Sequence, residues 1–329
     1  MTEPRAATMR SELYEALRAE MEADPSVILI GEDIRDYGGA FGVTGDLYRL
    51  FGERVINAPI SENSFVGVAV GAALGGLRPV VEIMFMDFIT LAMDQIVNHA
   101  AKIHYMYAGQ LSVPLVIRAP YGGYRGYGPS HSQTLAAWFM NVPGLKVVVP
   151  SDPSHARALL RRAIRDDNPV LFLEHKLLYG VRLSGEEAGG PDLPLGRARI
   201  ARPGADCTVV TFGWGVRLAL RAAETLAGQD GLDVEVLDLV TLQPYDRQAV
   251  CESVRRTGKA VFLEEGPRTG GVMGEVCSAV AEECLYDLDG GLVRVGAHDL
   301  PVPAAISAEA MVLPAVDDVV AAVRRAVRV

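Results

Sequence analysis

Cysteine, histidine and tryptophan are scarce in this chain of 329 residues, at 4, 6 and 2 copies. Cys207, Cys251, Cys277 and Cys284 all fall in the C-terminal part, and none is spaced as a zinc-ligand pair or as the framework of a small secreted domain. A reducing cytoplasm is the compartment this usage implies. Neither a His-x-x-x-His pair nor a Gly-x-Ser-x-Gly elbow occurs, which leaves zinc hydrolysis and a serine-hydrolase triad without support. Two glycine-rich stretches, Gly38, Gly39, Gly42 and Gly45 and then Gly122, Gly123, Gly126 and Gly128, lack the spacing of a Rossmann fingerprint or a Walker loop and read as turns. Positive charge is short as well. Against 41 Asp and Glu stand 31 Lys and Arg, a net −10 that argues against nucleic acid or an anionic membrane as the main partner. Long apolar runs are also missing: Phe65 to Leu77 stops at Arg78, too short to span a bilayer. Met1 to Arg10 mixes acids with bases where a signal segment would be apolar, so a soluble protein is expected.

What the chain does have is the composition of a large core, 50% hydrophobic and 22% charged. At roughly 100–200 residues per domain, the length suggests two domains. Short Val, Ile and Leu runs alternate with helical patterns, as a parallel sheet covered on both faces requires. Helices are expected at Met9–Ala23, Ser61–Leu74, Phe88–Tyr107 and Ser154–Arg165, the last capped by Asp152 before Pro153. Between them, strands are expected at Val27–Gly31, Pro79–Phe85, Leu115–Ala119, Lys146–Pro150 and Val170–Leu173. From Leu183 to Ala205 Gly, Pro and charge take over, which reads as a linker. Alternation restarts at Cys207, so the expected organisation is a domain over 1–190, a linker over 191–205 and a smaller α/β domain over 206–329.

Two segments could carry chemistry. In the first, Ser61 stands where a helix N-cap should and Glu62 at the first helical position, where the helix dipole favours a carboxylate by about 0.3–1 kcal/mol. That alone would explain Glu62. Everything after Ser64 is apolar or glycine, however, so Glu62 opens a deeply buried helix, a setting suited to sharing a proton with a ring nitrogen. Gly67, Gly71 and Gly75 recur every four residues and form a bare ridge for close helix packing, within the chain or across a subunit interface. The second segment, Gly122 to Gln133, follows a strand, where open α/β sheets place their ligands. His131 is the one histidine in such a loop and reads either as structural or as a proton-transfer residue. Arg125, close to Tyr127, reads as a rim residue.

At these segments the chain resembles the beta subunits of the thiamine-diphosphate-dependent decarboxylase component of 2-oxoacid dehydrogenase complexes, in the pyruvate and acetoin dehydrogenase branch. The residues that carry the resemblance are Gly31-Glu-Asp-Ile, Tyr37-Gly-Gly-Ala-Phe, Ala58-Pro-Ile-Ser-Glu, Gly76-Leu-Arg-Pro-Val-Val-Glu-Ile-Met-Phe-Met-Asp-Phe, Asp94-Gln-Ile-Val-Asn, Gly126-Tyr-Gly-Pro-Ser-His-Ser-Gln, Pro143-Gly-Leu-Lys-Val-Val-Val-Pro and Arg165-Asp-Asp-Asn-Pro-Val. It implies a transketolase-like pyrimidine-binding domain, with a parallel sheet covered by helices, followed by a smaller transketolase-like C-terminal α/β domain. It also implies roles. Glu62 matches the glutamate that hydrogen-bonds the cofactor's aminopyrimidine nitrogen, Phe88 the aromatic residue that stacks on that ring, and Met84 the same wall. His131 matches the histidine that handles protons around the acyl intermediate. The main-chain carbonyls of Leu115, Ala163, Asp166 and Asn168 fall where the family holds a structural potassium ion.

The family's diphosphate half, a Gly-Asp-Gly motif with a downstream asparagine that anchors magnesium, is missing: Gly45-Asp46 runs into Leu47, and Asp289 follows Leu288. The resemblance therefore implies an α2β2 assembly in which an alpha subunit holds magnesium and shares thiamine diphosphate, with transfer of the acyl unit to a lipoyl-bearing acyltransferase. Ala136, Met140 and Asn141 replace the family's usual glutamate, alanine and histidine, and Ala304 stands where an aromatic residue is usual. Those departures keep two alternatives open, a two-component carboligase with a non-lipoyl acceptor and a subunit that only scaffolds an active partner.

Overall fold

Thr8 caps helix α1 (Met9–Ala23) by a reciprocal exchange: the Ser11 N–H donates to Thr8 Oγ1 at 3.2 Å, and the Thr8 N–H donates to Ser11 Oγ at 2.7 Å. From there the computed structural model describes residues 7–183 and 193–328. Strand β1 (Val27–Gly31), helix α2 (Leu47–Phe51), strand β2 (Val55–Asn57), helix α3 (Glu62–Leu74), strand β3 (Arg78–Glu82), helix α4 (Ala101–Met106), strand β4 (Val116–Tyr121), helix α5 (Ala136–Met140), strand β5 (Lys146–Val148), helix α6 (Pro153–Arg165) and strand β6 (Val170–His175) follow. After them come strands β7 (Arg199–Arg202) and β8 (Cys207–Thr211), helix α7 (Trp214–Asp230), strands β9 (Val234–Asp238) and β10 (Thr241–Gln243), and helix α8 (Arg247–Thr257). The chain closes with strand β11 (Ala260–Pro267), helix α9 (Val272–Glu283), strand β12 (Leu292–Ala297) and helices α10 (Ile306–Glu309) and α11 (Val316–Val327).

The chain divides into two compact units, Met1–Tyr121 with Phe139–Leu195, and Gly122–Trp138 with Gly196–Val329. In the first, the strands are parallel in the order β5-β6-β4-β3-β1-β2. Strands β1, β4 and β6 are fully buried, which explains the unbroken apolar run of β1 and leaves Arg118 of β4 and Glu174 of β6 as charges inside the core. Helices α1 and α6 pack together, and the buried Glu12 and Glu20 of α1 are answered by Arg157, Arg161 and Arg165 of α6. Asp152 caps α6 as expected, accepting from the Ser154 N–H at 3.0 Å. The long helix expected over Phe88–Tyr107 is instead a 3-10 stretch, Met86–Ala92, a π-helical turn, Asp94–Ala100, and α4. Periodicity places the apolar residues of all three alike, so their hydrogen-bond pattern was not readable from it.

In the second unit the order is β12-β11-β8-β9-β7, parallel except for β7, which runs antiparallel to β9 at the edge. Its core joins Val209, Val236 and Val261 to Ala222 and Leu226 of α7 and Val319 and Val323 of α11. Residues 184–192 of the expected linker lie outside the described residues, and Arg199–Arg202 within it proves to be strand β7. The loop 122–138, inside the first domain by sequence, groups with the second unit.

One buried carboxylate gives this unit a pH signature. Glu264 accepts the Val272 and Met273 N–H groups at the start of α9, at 3.0 and 2.9 Å, yet burial outweighs those bonds and pushes its carboxyl up to about 7. A carboxyl that binds its proton more tightly folded than unfolded makes stability fall as pH rises from the ordinary carboxylate range to about 7. Glu264→Gln keeps an acceptor for the helix with no charge to bury. Thermal melts at pH 5 and 8 are expected to show the variant gaining on the wild type at pH 8, on the order of 2 kcal/mol.

Candidate active site

The carboxyl ends of β1, β3 and β6 deliver an unusual set of polar residues to one edge of the first sheet: Glu32 after β1, Glu82 ending β3, and Glu174 and His175 ending β6. Open α/β sheets place ligands at this edge. Glu62 is the first residue of α3, as the sequence indicates, and is 4% exposed. Ser61 occupies the N-cap position without capping the helix, its hydroxyl donating instead to Ser64 Oγ at 2.8 Å. No hydrogen bond to the Glu62 carboxylate forms among the described residues. A buried carboxyl left open in this way fits an acceptor ring nitrogen with which it can share its proton.

Glu32 is the partner that sequence reasoning passed over. It is buried, its Oε1 has no hydrogen-bond partner, and burial first, then the negative charges of Glu62 and Asp33, push its carboxyl up to about 7. The available signal was an acidic residue directly after a fully buried strand. Met84 and Phe88 are half-buried and follow β3 in the chain, and Phe88 belongs to an aromatic wall. Phe88 meets Phe85 edge to face at 6.1 Å, Phe85 meets Phe41 at 5.5 Å, and Phe41 stacks on Tyr179 at 5.2 Å. Behind the wall Tyr179 donates to Glu174 Oε2 at 2.6 Å, and the fully buried Arg118 joins Glu174 in a bidentate pair at 2.7 and 2.8 Å and Glu82 at 2.6 Å. Gly39, at φ 81°, lies so close to Glu82 that a Cβ there would meet Oε1 at 2.2 Å.

His131 belongs to the second unit's loop and is half-buried, with Nδ1 3.0 Å from Ser130 Oγ. The structure thus brings Glu62, Met84 and Phe88 onto the first unit and assigns His131 to the second. Around the loop, Gly126 at φ 68° has the Ala304 carbonyl oxygen 2.8 Å from where a Cβ would be, and Gly128 has the Ala304 Cβ at 3.4 Å. The Ala304 departure therefore falls directly against this loop. Ala136 and Met140 lie on α5, with Asn141 just after it. Arg125 stacks over the Tyr127 ring at 5.5 Å, the rim position expected for it. Below the loop is a cavity of about 570 Å³ whose lining includes Ser132, Leu135, Glu265, Pro301 and Val302.

Of the four carbonyls matched to a potassium site, Leu115 O accepts from Val170 N at 2.8 Å, Ala163 O from Asp166 N at 3.3 Å, and Asp166 O from Arg78 Nη1 at 3.2 Å. Each oxygen keeps a second lone pair, so these residues could hold a monovalent cation in competition with Arg78. Among the described residues no three His, Cys, Asp or Glu side chains gather as a metal site.

The transketolase pyrimidine-binding domain family matches residues 5–182, and the transketolase C-terminal domain family residues 196–319. The chain is 46% identical over 323 residues to a mitochondrial pyruvate dehydrogenase E1 component subunit beta-1 of Arabidopsis thaliana, covering 97% of this chain and 89% of that protein. It is 44% identical over 313 residues to the 2-oxoisovalerate dehydrogenase subunit beta of Bacillus subtilis (strain 168), covering 94% and 95%. Among solved structures, a split-gene transketolase in the form of an inactive beta4 tetramer superposes with a TM-score of 0.78 at 28% identity, over 98% of each chain. The chain belongs to the transketolase-like family of 2-oxoacid dehydrogenase E1 beta subunits.

Proposed function

We propose that this chain is the beta subunit of a thiamine-diphosphate-dependent 2-oxoacid dehydrogenase, which decarboxylates a 2-oxoacid such as pyruvate and passes the acyl unit to a lipoyl domain. The observation that carries the reading is Glu62, buried at the first turn of an apolar helix with its carboxylate open. Glu62, Met84 and Phe88 would hold the pyrimidine of thiamine diphosphate, which would supply the nucleophilic carbon and the electron sink that decarboxylation of a 2-oxoacid requires. Glu62 shares a proton with the pyrimidine nitrogen, and its acidic neighbour is Glu32, whose carboxyl burial and then the charge of Glu62 push up to about 7. Phe88 and Met84 form the wall for the pyrimidine. His131 holds or delivers the proton at the substrate's carbonyl oxygen.

The chain lacks a Gly-Asp-Gly motif, so the diphosphate and its magnesium fall to an alpha subunit in an α2β2 assembly. The glycine ridge of α3 supports this. A Cβ at Gly71 would have nothing within 4 Å, and Val68 beside it is 63% exposed, so an apolar helix face is left uncovered within the chain. No described helix is long and apolar enough to cross a membrane, and Cys207, Cys251, Cys277 and Cys284 are all free thiols, in keeping with a cytoplasmic setting. The potassium ion belongs to this proposal as a structural ion alone.

Mixing the chain with its alpha subunit, cofactor and magnesium is expected to give a heterotetramer that releases CO2 from a 2-oxoacid. An assembled pair that decarboxylates no 2-oxoacid overturns the proposal. Gly71→Phe is expected to leave the melting temperature of the isolated chain unchanged while weakening assembly at least tenfold, read by sedimentation, because the new ring meets nothing until the partner arrives.

A further inference from the structure

We propose that Glu309, assisted by Glu265, is a positioning residue for His131, its carboxylate fixing the glycine-rich loop and thereby the place where the imidazole is presented. This rests on the reading of His131 as the proton-handling group.

The loop adopts a conformation that does not hold itself. Gly122, Gly126 and Gly128 all have positive φ, and Tyr124 does so at 63° without being glycine, a state that persists only where the surroundings impose it. Two buried carboxylates impose it. The Gly123 N–H donates to Glu265 Oε1 at 2.6 Å, and the Gly126 N–H to Glu309 Oε2 at 2.9 Å. Tyr124 adds a third tie, its hydroxyl donating to the Pro314 carbonyl at 2.8 Å. Bonds from N–H groups to ionised carboxylates are roughly twice as strong as neutral ones. Their effect reaches His131 through the backbone, since the His131 N–H donates to the Gly128 carbonyl at 3.2 Å and the Gly122 N–H to the Gln133 carbonyl at 3.4 Å.

Glu309 is costly to keep for stability alone. It is 1% exposed and its second oxygen, Oε1, has no hydrogen-bond partner. A buried carboxylate satisfied on one side is worse for folding than an apolar side chain of the same size. The fit around it is close: a Cβ at Gly123 would lie 3.0 Å from Oε1 and 2.4 Å from Leu313 Cδ1. What the carboxylate contributes is the register of the loop.

The test uses the enzyme assembled with its alpha subunit, cofactor and magnesium. Glu309→Ala is expected to lower kcat by about 10- to 100-fold with KM changed less than about threefold, because a misplaced proton-handling group acts mainly on the transition state. Glu309→Gln, which keeps an acceptor oxygen for Gly126, is expected to stay within about threefold of wild type. In a His131→Ala background, adding Glu309→Ala is expected to cost less than about twofold more, since both changes remove one function. Losses that multiply in the double variant, or a Glu309→Ala enzyme with wild-type kcat, overturn the inference. A His131→Ala enzyme with unchanged rate overturns the histidine reading instead, and the inference with it. If Glu309→Ala does not assemble, Glu309→Asp, which keeps the charge but withdraws the oxygen from Gly126, enters the same cycle with the same outcomes.

Discussion

Glu62→Gln is expected to lower kcat of the assembled enzyme by about 1,000-fold and to leave the chain as stable as before or more so. The two effects have one cause. The Glu62 carboxylate is buried without a hydrogen bond from any described residue, so its removal breaks nothing the fold depends on. It also removes a negative charge facing Glu32, whose raised pKa owes its second-largest contribution to Glu62, so the Glu32 carboxyl returns toward the ordinary range. A residue the fold does not need and that is lost only at the expense of activity is what a site under functional constraint contains. Steady-state decarboxylation and thermal melts on the same preparation check both halves. A variant that loses activity only because it unfolds contradicts the assignment.

Arg118→Met is expected to have the largest effect on stability, about 3–5 kcal/mol, or close to 10 °C in melting temperature for a unit of this size. Arg118 is 1% exposed and serves two buried carboxylates at once. Desolvation of Glu82 already outweighs the pull of Arg118 and holds that carboxyl above the ordinary range, so without the guanidinium both acids must take up protons or remain charged in the core. The consequence reaches the site through Glu174, Tyr179, Phe41 and Phe85 to Phe88. Cofactor affinity is therefore expected to fall along with stability, by about tenfold, read by titration of the assembled enzyme below its new melting temperature. Tyr179→Phe isolates the link, since it keeps the aromatic stack and removes the hydroxyl bond to Glu174.

Much of the first unit was legible because its signals are local. Helix α6 shows Asp152 and Pro153 at its start, β1 is an uninterrupted apolar run, and α3 places Glu62 one residue past a polar start. Where local signals are absent the sequence misleads. The loop of His131 directly follows strand β4 of the first unit, yet it is claimed by carboxylates 142 and 183 residues downstream, and no window of the sequence contains both partners. Strand β7 was hidden for a related reason: its burial alternates only partly at a sheet edge, so Arg199 to Arg202 looks like linker until it pairs with β9. Glu32 is visible as a residue but not as a buried neighbour of Glu62, because the crossover from β1 to α3 brings them together.

The central claim, that this chain supplies the proton-sharing half of a thiamine-diphosphate site and hands its product to a lipoyl group, is tested most directly by acylation of a lipoyl domain. With the alpha subunit, cofactor, magnesium and a 2-oxoacid present, the wild-type chain is predicted to acylate the domain, while Glu62→Gln assembles equally well and acylates it about 1,000-fold more slowly. Acylation at the wild-type rate by the Glu62→Gln assembly, or decarboxylation with no acylation by the wild type, contradicts the account.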